Sequence, residues 1–276
     1  MKCSWTELLN VLPIWLRLEV DKLGRDCSEE LRLRLNAPPE LRRKGTSHWL
    51  KGCISQEDLN YCVNAASRFS PWSAVGIGKG YLTAPGGHRI GLCGEAVVKD
   101  GVVTGIRNVS SLCIRIARDY PGIAEKLGSM SGSVLILGAP GWGKTTLLRD
   151  LIRQRSEQGY AVSVVDERGE IFPAGFDTGK CTEVLTGCPK SQGVEMVLRT
   201  MGPRVIAVDE ITAKEDCETL IQAAWCGVDL IATVHASSHD DLHRRSIYAP
   251  LVSQRIFQNI VILHPDKTWH VERSRV

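Results

Sequence analysis

The sequence lacks the long apolar segments that membrane-spanning and secreted proteins carry. No run approaches the roughly 18 consecutive apolar residues of a transmembrane helix. The N-terminal residues are interrupted by polar and acidic side chains, so they do not form the apolar core of a signal peptide. An excess of charge of one sign is also missing, because 34 Lys and Arg face 31 Asp and Glu. These absences predict a globular protein located in the cytoplasm.

The cysteine spacing that would indicate a zinc knuckle is missing as well. The chain has 10 cysteines but no Cys-x-x-Cys pair. In a reducing compartment, a chain of 276 residues can bury a core without disulfide cross-links. The sequence therefore favours reduced, mostly buried thiols over a metal site or a disulfide framework.

Two patterns divide the chain into two domains. Over residues 105–276, short apolar runs alternate with helical stretches, which is typical of a parallel sheet covered by helices. The earlier part, 1–104, has turn-rich strands and a helix start at Ser55. We predict a smaller N-terminal α+β domain followed by an α/β domain. The α/β elements are predicted as strands at 134–137, 161–165, 205–208, 230–234 and within 254–263, and as helices at 144–157 and 215–226.

A basic strand face in the N-terminal part leaves two interpretations open. Residues 30–35 alternate, so that three leucines share one face while Arg32 and Arg34 lie on the other. The arginines could bind nucleic acid, but no interleaved aromatic residues accompany them. A solvated strand face is the favoured interpretation.

A glycine-rich segment lies between the first α/β strand and the helix that follows it. Residues 138–145 fit G-x-x-x-x-G-K-[ST] at every fixed position. Glycines allow backbone N–H groups to surround phosphate oxygens, and the helix N-terminus adds a favourable dipole. Lys144 is predicted to bind the β- and γ-phosphates, and Thr145 to coordinate Mg²⁺. The predicted nucleotide-binding residues of this P-loop are Gly138, Ala139, Pro140, Gly141, Trp142, Gly143, Lys144, Thr145 and Thr146.

Two acids follow another buried strand of the α/β part. The apolar residues 205–208 precede Asp209 and Glu210. Because parallel strands end at the same sheet edge, both acids are expected beside the phosphates. Asp209 is predicted to help hold Mg²⁺ and Glu210 to orient or deprotonate an attacking water, which favours hydrolysis over nucleotide storage. The guanine motif Asn-Lys-x-Asp is missing, since its nearest match at 213–216 has Ala in place of Asn, so ATP is the favoured nucleotide.

Further polar side chains follow two other predicted strands. Asp166, Glu167 and Glu170 come after the strand at 161–165, and His235 follows the strand at 230–234. These groups are expected at the same sheet edge, where His235 could contact a γ-phosphate. His239 and His243 continue the spacing of His235, but a histidine metal site is disfavoured because His235 belongs to a strand end and not to their helix.

Together these blocks resemble the RecA-like motor ATPases of type II and type IV secretion systems. The segment 198–211 resembles their Walker B region, 166–170 their Asp box and 232–236 their His box. Within that group, the chain resembles the stage III sporulation protein AA family. The strings that carry this resemblance are at 31–34, 39–42, 88–94, 114–118 and 164–170, and the likeness spans nearly the whole chain.

The resemblance implies a RecA-like P-loop core that uses ATP and Mg²⁺. It also implies a homo-oligomer, a hexameric ring with nucleotide between subunits, at the cytoplasmic face of a membrane complex that links mother cell and forespore during sporulation. In such a ring Arg115 or Arg118, and Arg89, are expected to touch phosphate. The resemblance further implies that the acids at 166–170 contact nucleotide and that His235 couples hydrolysis to domain motion.

Two alternatives to a secretion-like ATPase stay open from the sequence. A DNA-associated motor would show turnover that responds to DNA with a steep salt dependence. A nucleotide-gated scaffold would bind ATP and change shape but hardly hydrolyse it. Turnover measured against protein concentration separates the scaffold from a motor whose site is completed by ring assembly.

Overall fold

The computed structural model describes residues 5–24, 28–67, 80–173 and 176–273, and the chain consists of two compact units. The N-terminal unit comprises Met1–Asp119 and Pro173–Phe176, and the C-terminal unit comprises Tyr120–Phe172 and Asp177–Val276. The boundary predicted between residues 104 and 105 differs from this division, because it falls inside the strand Val102–Arg115. That strand is hydrogen-bonded to a neighbour on both sides within the N-terminal sheet, so the unit continues beyond it.

The N-terminal unit has a mixed α+β fold, as its sequence predicts. Its helices are α1 (Trp5–Val11), α2 (Ile14–Leu23) and α3 (Gln56–Ala66), and its strands are β1 (Ser28–Arg34), β2 (Glu40–Arg43), β3 (Thr46–Trp49), β4 (Tyr81–Thr83), β5 (Arg89–Lys99) and β6 (Val102–Arg115). The six strands form one sheet in the order β3-β2-β1-β6-β5-β4, with antiparallel neighbours throughout. Helices and sheet share an apolar core that includes Leu8, Leu59 and Ile114.

The alternating pattern of β1 produces one buried and one charged face. Leu31 and Leu33 are fully buried, and the arginines between and after them point to the other face. Arg34 pairs with Glu40 at 2.8 Å, and Arg32 pairs with Glu30. Acidic partners therefore offset the positive charge of this strand, which agrees with a solvated face.

The long hairpin of β5 and β6 depends on glycine at two kinds of position. Its turn lies at Asp100 and Gly101, whose φ angles of 50° and 76° form the left-handed pair of a two-residue hairpin loop. Gly94 lies where the strand register shifts, and a Cβ atom there would lie 2.7 Å from the carbonyl oxygen of Arg107. Gly105, on the opposite strand, has no neighbouring atom closer than 4.0 Å to such a Cβ.

We expect Gly94→Ala to destabilise the protein by about 1–3 kcal/mol, because the new methyl group meets backbone that cannot rotate away. Gly105→Ala is the matched control and should change the stability by less than about 0.5 kcal/mol. Urea unfolding of the two variants and the wild type measures the difference. Equal unfolding midpoints for both variants would contradict the close approach at Gly94.

The C-terminal unit is built around a largely parallel sheet. Its strands are β7 (Val134–Leu137), β8 (Val162–Asp166), β9 (Thr182–Thr186), β10 (Val205–Val208), β11 (Asp229–Val234), β12 (Asn259–Leu263) and β13 (Trp269–Arg273), and its helices are α4 (Glu125–Gly128), α5 (Lys144–Glu157), α6 (Lys190–Thr200), α7 (Lys214–Trp225), α8 (His239–Arg244) and α9 (Ala249–Ser253). The sheet order is β13-β12-β7-β11-β10-β8-β9, and only β13 runs antiparallel to its neighbour. All five strands and both helices predicted for this part are present.

The described residues also show the state of the cysteines, the lack of a metal-binding cluster among them, and the length and polarity of their helices. The eight cysteines described are all free of disulfides, but only Cys62 and Cys217 are buried, so the prediction of mostly buried thiols is wrong. Within the same residues, no group of three or more His, Cys, Asp or Glu side chains is arranged to hold a metal ion. No helix among those described is both long and apolar enough to cross a lipid bilayer.

Candidate nucleotide-binding and catalytic site

The P-loop connects the buried strand β7 to the helix α5. Gly141 and Gly143 have φ angles of 80° and 101°, a conformation that L side chains rarely adopt. Helix α5 then begins at Lys144, and its first backbone N–H groups have no acceptor within the helix. The segment 138–146, predicted to bind nucleotide, therefore presents donors and a helix dipole at one point, as a phosphate requires.

Lys144 is almost completely buried, with 5% of its surface exposed. Its Nζ atom donates a hydrogen bond to the carbonyl oxygen of Ala139 at 3.2 Å and lies 3.1 Å from Nδ1 of His235. Burial lowers the pKa of Lys144, while the negative charges of Glu210 and Asp209 act in the opposite direction. The buried ammonium group of Lys144 has lost most of its contact with water. A phosphate bound at the P-loop would supply negative charge and hydrogen-bond acceptors in place of that water.

Thr145 and Asp209 are brought together by the strand order. Strand β11 lies between β7 and β10, and its Thr233 hydroxyl donates to Oδ1 of Asp209. Thr145 Oγ1 donates to Oδ2 of the same carboxylate at 2.6 Å. Burial raises the pKa of Asp209, and the hydroxyl groups of Thr145 and Thr233 lower it in turn.

Glu210 has a backbone conformation that is unusual for a residue other than glycine. Its φ angle is 49°, in the left-handed region that costs roughly 1–3 kcal/mol outside glycine. The conformation is held by its N–H group, which donates to Thr233 Oγ1 at 2.8 Å, and by Ile211 N–H, which donates to the Thr233 carbonyl oxygen at 2.9 Å. With its backbone held in this way, Glu210 places its side chain in contact with His235.

His235 links the acid to the P-loop lysine. Its Nε2 atom lies 2.9 Å from Oε1 of Glu210, and its Nδ1 atom lies 3.1 Å from Nζ of Lys144. Because an ammonium group only donates, we assign Nδ1 as the acceptor and Nε2–H as the donor to the carboxylate. The structure thus brings together five of the predicted residues, namely Lys144, Thr145, Asp209, Glu210 and His235.

The acids at the end of β8 and in the loop that follows are bonded to groups within the chain. Both carboxylate oxygens of Asp166 accept backbone N–H groups, from Glu170 and Ile171 at 2.9 Å and from Phe172 at 3.1 Å. Glu167 pairs at 2.5 Å with Lys190, whose side chain is only 7% exposed. These acids fasten their own loop, and direct contact of Asp166, Glu167 or Glu170 with nucleotide stays a prediction.

The arginines expected to touch phosphate belong to the N-terminal unit. Arg115 ends β6, where it is paired in register with Glu30 of β1 and with Arg89 of β5. Arg118 donates a hydrogen bond to the carbonyl oxygen of Ser28. The guanidinium group of Arg89 lies 4.3 Å from the centre of the Tyr81 ring. A role of these arginines at the phosphates stays a prediction.

His239 and His243 lie on α8 and are separate from the cluster at Lys144. Their rings meet edge to face, with centroids 4.6 Å apart. They line a cavity of about 560 Å³ together with Arg255, Glu272 and Arg273. Since His235 follows β11 and bonds Glu210, the three histidines do not converge on one point.

The residues at the P-loop fit a triphosphate with Mg²⁺. Thr145 Oγ1 and Asp209 Oδ2 lie side by side at 2.6 Å, and hydroxyl and carboxylate oxygens are the ligands that Mg²⁺ prefers. An ideal Cβ at Gly141 or Gly143 would meet no atom within 4 Å, so the loop leaves open space at both positions. A small cavity of about 20 Å³, lined by Asp209, Glu210 and the loop after β8, adjoins the acid pair and has room for a water molecule.

Sequence comparison places the chain among known proteins. Residues 5–271 match the family described as "Sporulation stage III, protein AA". The Bacillus subtilis (strain 168) "Stage III sporulation protein AA" is 38% identical over 278 residues, which cover 93% of this chain and 90% of the relative. The chain belongs to the stage III sporulation protein AA family. A more distant relative of this family member, the "Uncharacterized protein ycf45" of Porphyra purpurea, is 29% identical over 89% of the chain and 43% of its own length.

Solved structures share the fold of this stage III sporulation protein AA family member. The Legionella pneumophila ATPase DotB matches 95% of this chain and 80% of its own, with a TM-score of 0.61 and 18% identity. The pilus retraction motor PilT, solved with bound ADP, matches 98% of this chain and 84% of its own, with a TM-score of 0.65 and 15% identity. The predicted RecA-like fold of the secretion ATPases is thereby confirmed.

Sequence reasoning on this family member missed three residues of the site. Thr233 supports both Asp209 and Glu210, Arg168 contacts Glu210, and Lys190 holds Glu167. Thr233 and Arg168 lie within the segments 232–236 and 166–170, which the sequence indicates as parts of the site because of other residues in them. Lys190 has no local signal, because only the parallel pairing of β8 with β9 brings the start of α6 to the acidic loop.

Proposed function

We propose that this member of the stage III sporulation protein AA family is a magnesium-dependent ATPase that drives or energises a membrane-associated complex during sporulation. The supporting observation is the 2.6 Å contact of Thr145 with Asp209 beside the P-loop, with Glu210 separated from Lys144 by one imidazole ring. Bound Mg²⁺ would supply charge neutralisation at the phosphates.

The proposed roles follow from the chemistry of each side chain. Lys144 holds the terminal phosphates through its ammonium group, and the oxygens of Thr145 and Asp209 hold the metal. Glu210 accepts a proton from the attacking water, since its carboxylate is linked to Lys144 through His235 and, unlike that of Asp209, is not bonded to Thr145. His235 contacts both Lys144 and Glu210, so that a change at Lys144 when phosphate binds or leaves is passed to Glu210 through the imidazole ring.

The proposed working form is a homo-oligomer, a hexameric ring at the cytoplasmic face of a membrane protein complex in the mother cell. The family's sporulation name and the fold shared with DotB and PilT support this form. In the ring, Arg115 and Arg118 add positive charge at the phosphate of the same or the neighbouring subunit.

Phosphate release by the purified wild-type chain tests the proposal. With ATP we expect turnover that needs Mg²⁺, falls to background with EDTA and returns when Mg²⁺ is restored, because the single positive charge of Lys144 cannot by itself offset the triphosphate charge. The rate per chain should rise with protein concentration as rings assemble, in parallel with mass measured with and without nucleotide.

Other results would favour the alternatives. Tight ATP binding without turnover at any protein concentration would favour a nucleotide-gated scaffold. Turnover that rises on adding DNA, and loses this response steeply with salt, would favour a DNA-associated motor. Absence of ATP binding would contradict the proposal altogether.

A further inference from the structure

Two different loops hold the carboxylate of Glu210. Its Oε1 atom lies 2.9 Å from Nε2 of His235, and its Oε2 atom accepts a hydrogen bond of 3.1 Å from Nη1 of Arg168. The His235 contact leads to the P-loop lysine, whereas the Arg168 contact leads to the loop after β8. The terminal torsion of a glutamate has broad intrinsic preferences, so these two partners decide how the carboxylate is turned.

The loop that carries Arg168 is fastened on both sides of this residue. Before it, Glu167 pairs with the buried Lys190 at the start of α6. After it, the backbone N–H groups of 170–172 bond the carboxylate of Asp166, and Arg149 of α5 donates to the carbonyl oxygens of residues 170 and 171. The guanidinium group is therefore presented from a fixed backbone that is tied to the P-loop helix.

The ion pair of Arg168 with Glu210 is better suited to orienting the carboxylate than to stabilising the fold. Arg168 is about half exposed, so its ion pair with Glu210 contributes little to the free energy of folding. A guanidinium group is planar and rigid, however, and directs a carboxylate more closely than a flexible ammonium group does. Because the contact of Arg168 with Glu210 adds little to stability, a role in orienting the catalytic acid explains it better.

We propose that Arg168 is a positioning residue for Glu210. Its guanidinium group holds Oε2, which leaves Oε1 directed to His235 and to the phosphate end of the P-loop. This role rests on the proposed function, because it concerns the same hydrolysis. It also gives the acidic loop a purpose other than nucleotide contact, since Asp166 and Glu167 hold the backbone that presents the arginine.

The first test measures the kcat and KM of single variants. Arg168→Gln should lower kcat about 10- to 100-fold, with KM for ATP changed by less than about twofold, because the acid is misplaced while the P-loop is intact. Arg168→Lys should restore part of kcat, since it keeps the charge but not the planar geometry. Arg245→Gln removes another half-exposed arginine ion pair, with Asp241, and is the matched control with wild-type values.

The second test is a double-variant cycle in a single-turnover assay. In a Glu210→Gln background, Arg168→Gln should cause no further loss, because an arginine that acts only through Glu210 has nothing left to position. Losses that multiply in the double variant would overturn the proposal. So would an unchanged kcat in Arg168→Gln, or a raised KM with unchanged kcat, which would assign the arginine to nucleotide binding.

The two proposals fail in different ways. If the wild-type chain hydrolyses ATP and Arg168→Gln does so equally fast, only the positioning role is overturned. If the wild-type chain neither binds nor hydrolyses ATP, the proposed function fails and the role of Arg168 fails with it.

Discussion

Glu210→Gln should lower ATP turnover by at least about 100-fold, the usual contribution of a positioned general base. In the proposed reaction the Glu210 carboxylate accepts the proton of the attacking water, and an amide cannot take over this role. Nucleotide affinity should change little, because Lys144, Thr145 and Asp209 keep their contacts at the P-loop. The variant is therefore expected to accumulate bound, uncleaved ATP.

Steady-state phosphate release and equilibrium binding of a fluorescent ATP analogue measure the two effects separately. Glu218→Gln is the matched control, since Glu218 lies on the exposed face of α7 and pairs only weakly with Lys214 at 3.7 Å. It should behave as the wild type does. Wild-type turnover in Glu210→Gln would show that another group activates the water.

Lys144→Ala should weaken ATP binding by about 10- to 150-fold, the range for one lost hydrogen bond to a charged group of 1.5–3 kcal/mol. The ammonium group is buried at the end of the P-loop, where few water molecules can take over its role. Turnover should fall with the affinity and should not recover at saturating ATP, because the same charge also stabilises the phosphates during transfer.

Isothermal titration with ATP and Mg²⁺ measures this loss, and Lys214→Ala serves as the control because Lys214 is exposed on α7. Thermal unfolding checks that the variant is folded, since Ala139 and His235 lose a hydrogen-bond partner. Binding of ATP to Lys144→Ala with wild-type affinity would place the nucleotide away from the P-loop.

Much of the α/β unit follows from local sequence alone. The apolar runs that become β7 and β10 are fully buried, so their composition defines them without knowledge of the fold. Strands β9 and β13 were missed because both lie at sheet edges and carry mixed, partly exposed residues that show no buried run. Edge strands depend on the pairing of the whole sheet, which a local pattern does not encode.

The candidate site was predicted in its residue types but only partly in its contacts. The fixed positions of the P-loop and the acid pair after β10 can be recognised in the sequence itself. The sheet order does not follow from the chain order, so the hydrogen bond from Thr233 on β11 to Asp209 could not be foreseen. The backbone N–H groups that bond Asp166 and the Lys190 side chain that binds Glu167 could not be foreseen either, because neither contact leaves a signal in the local sequence.

The most direct measurement identifies the nucleotide that remains on the protein after a single turnover. Radiolabelled ATP is mixed with an excess of the wild-type chain in the presence of Mg²⁺. The reaction is quenched after a fixed time, and ATP, ADP and phosphate are then separated and quantified. We expect ADP and free phosphate from the wild type, and intact ATP from Glu210→Gln under the same conditions. Intact ATP from both proteins, or the same yield of ADP from both, would contradict hydrolysis by Glu210 at the P-loop.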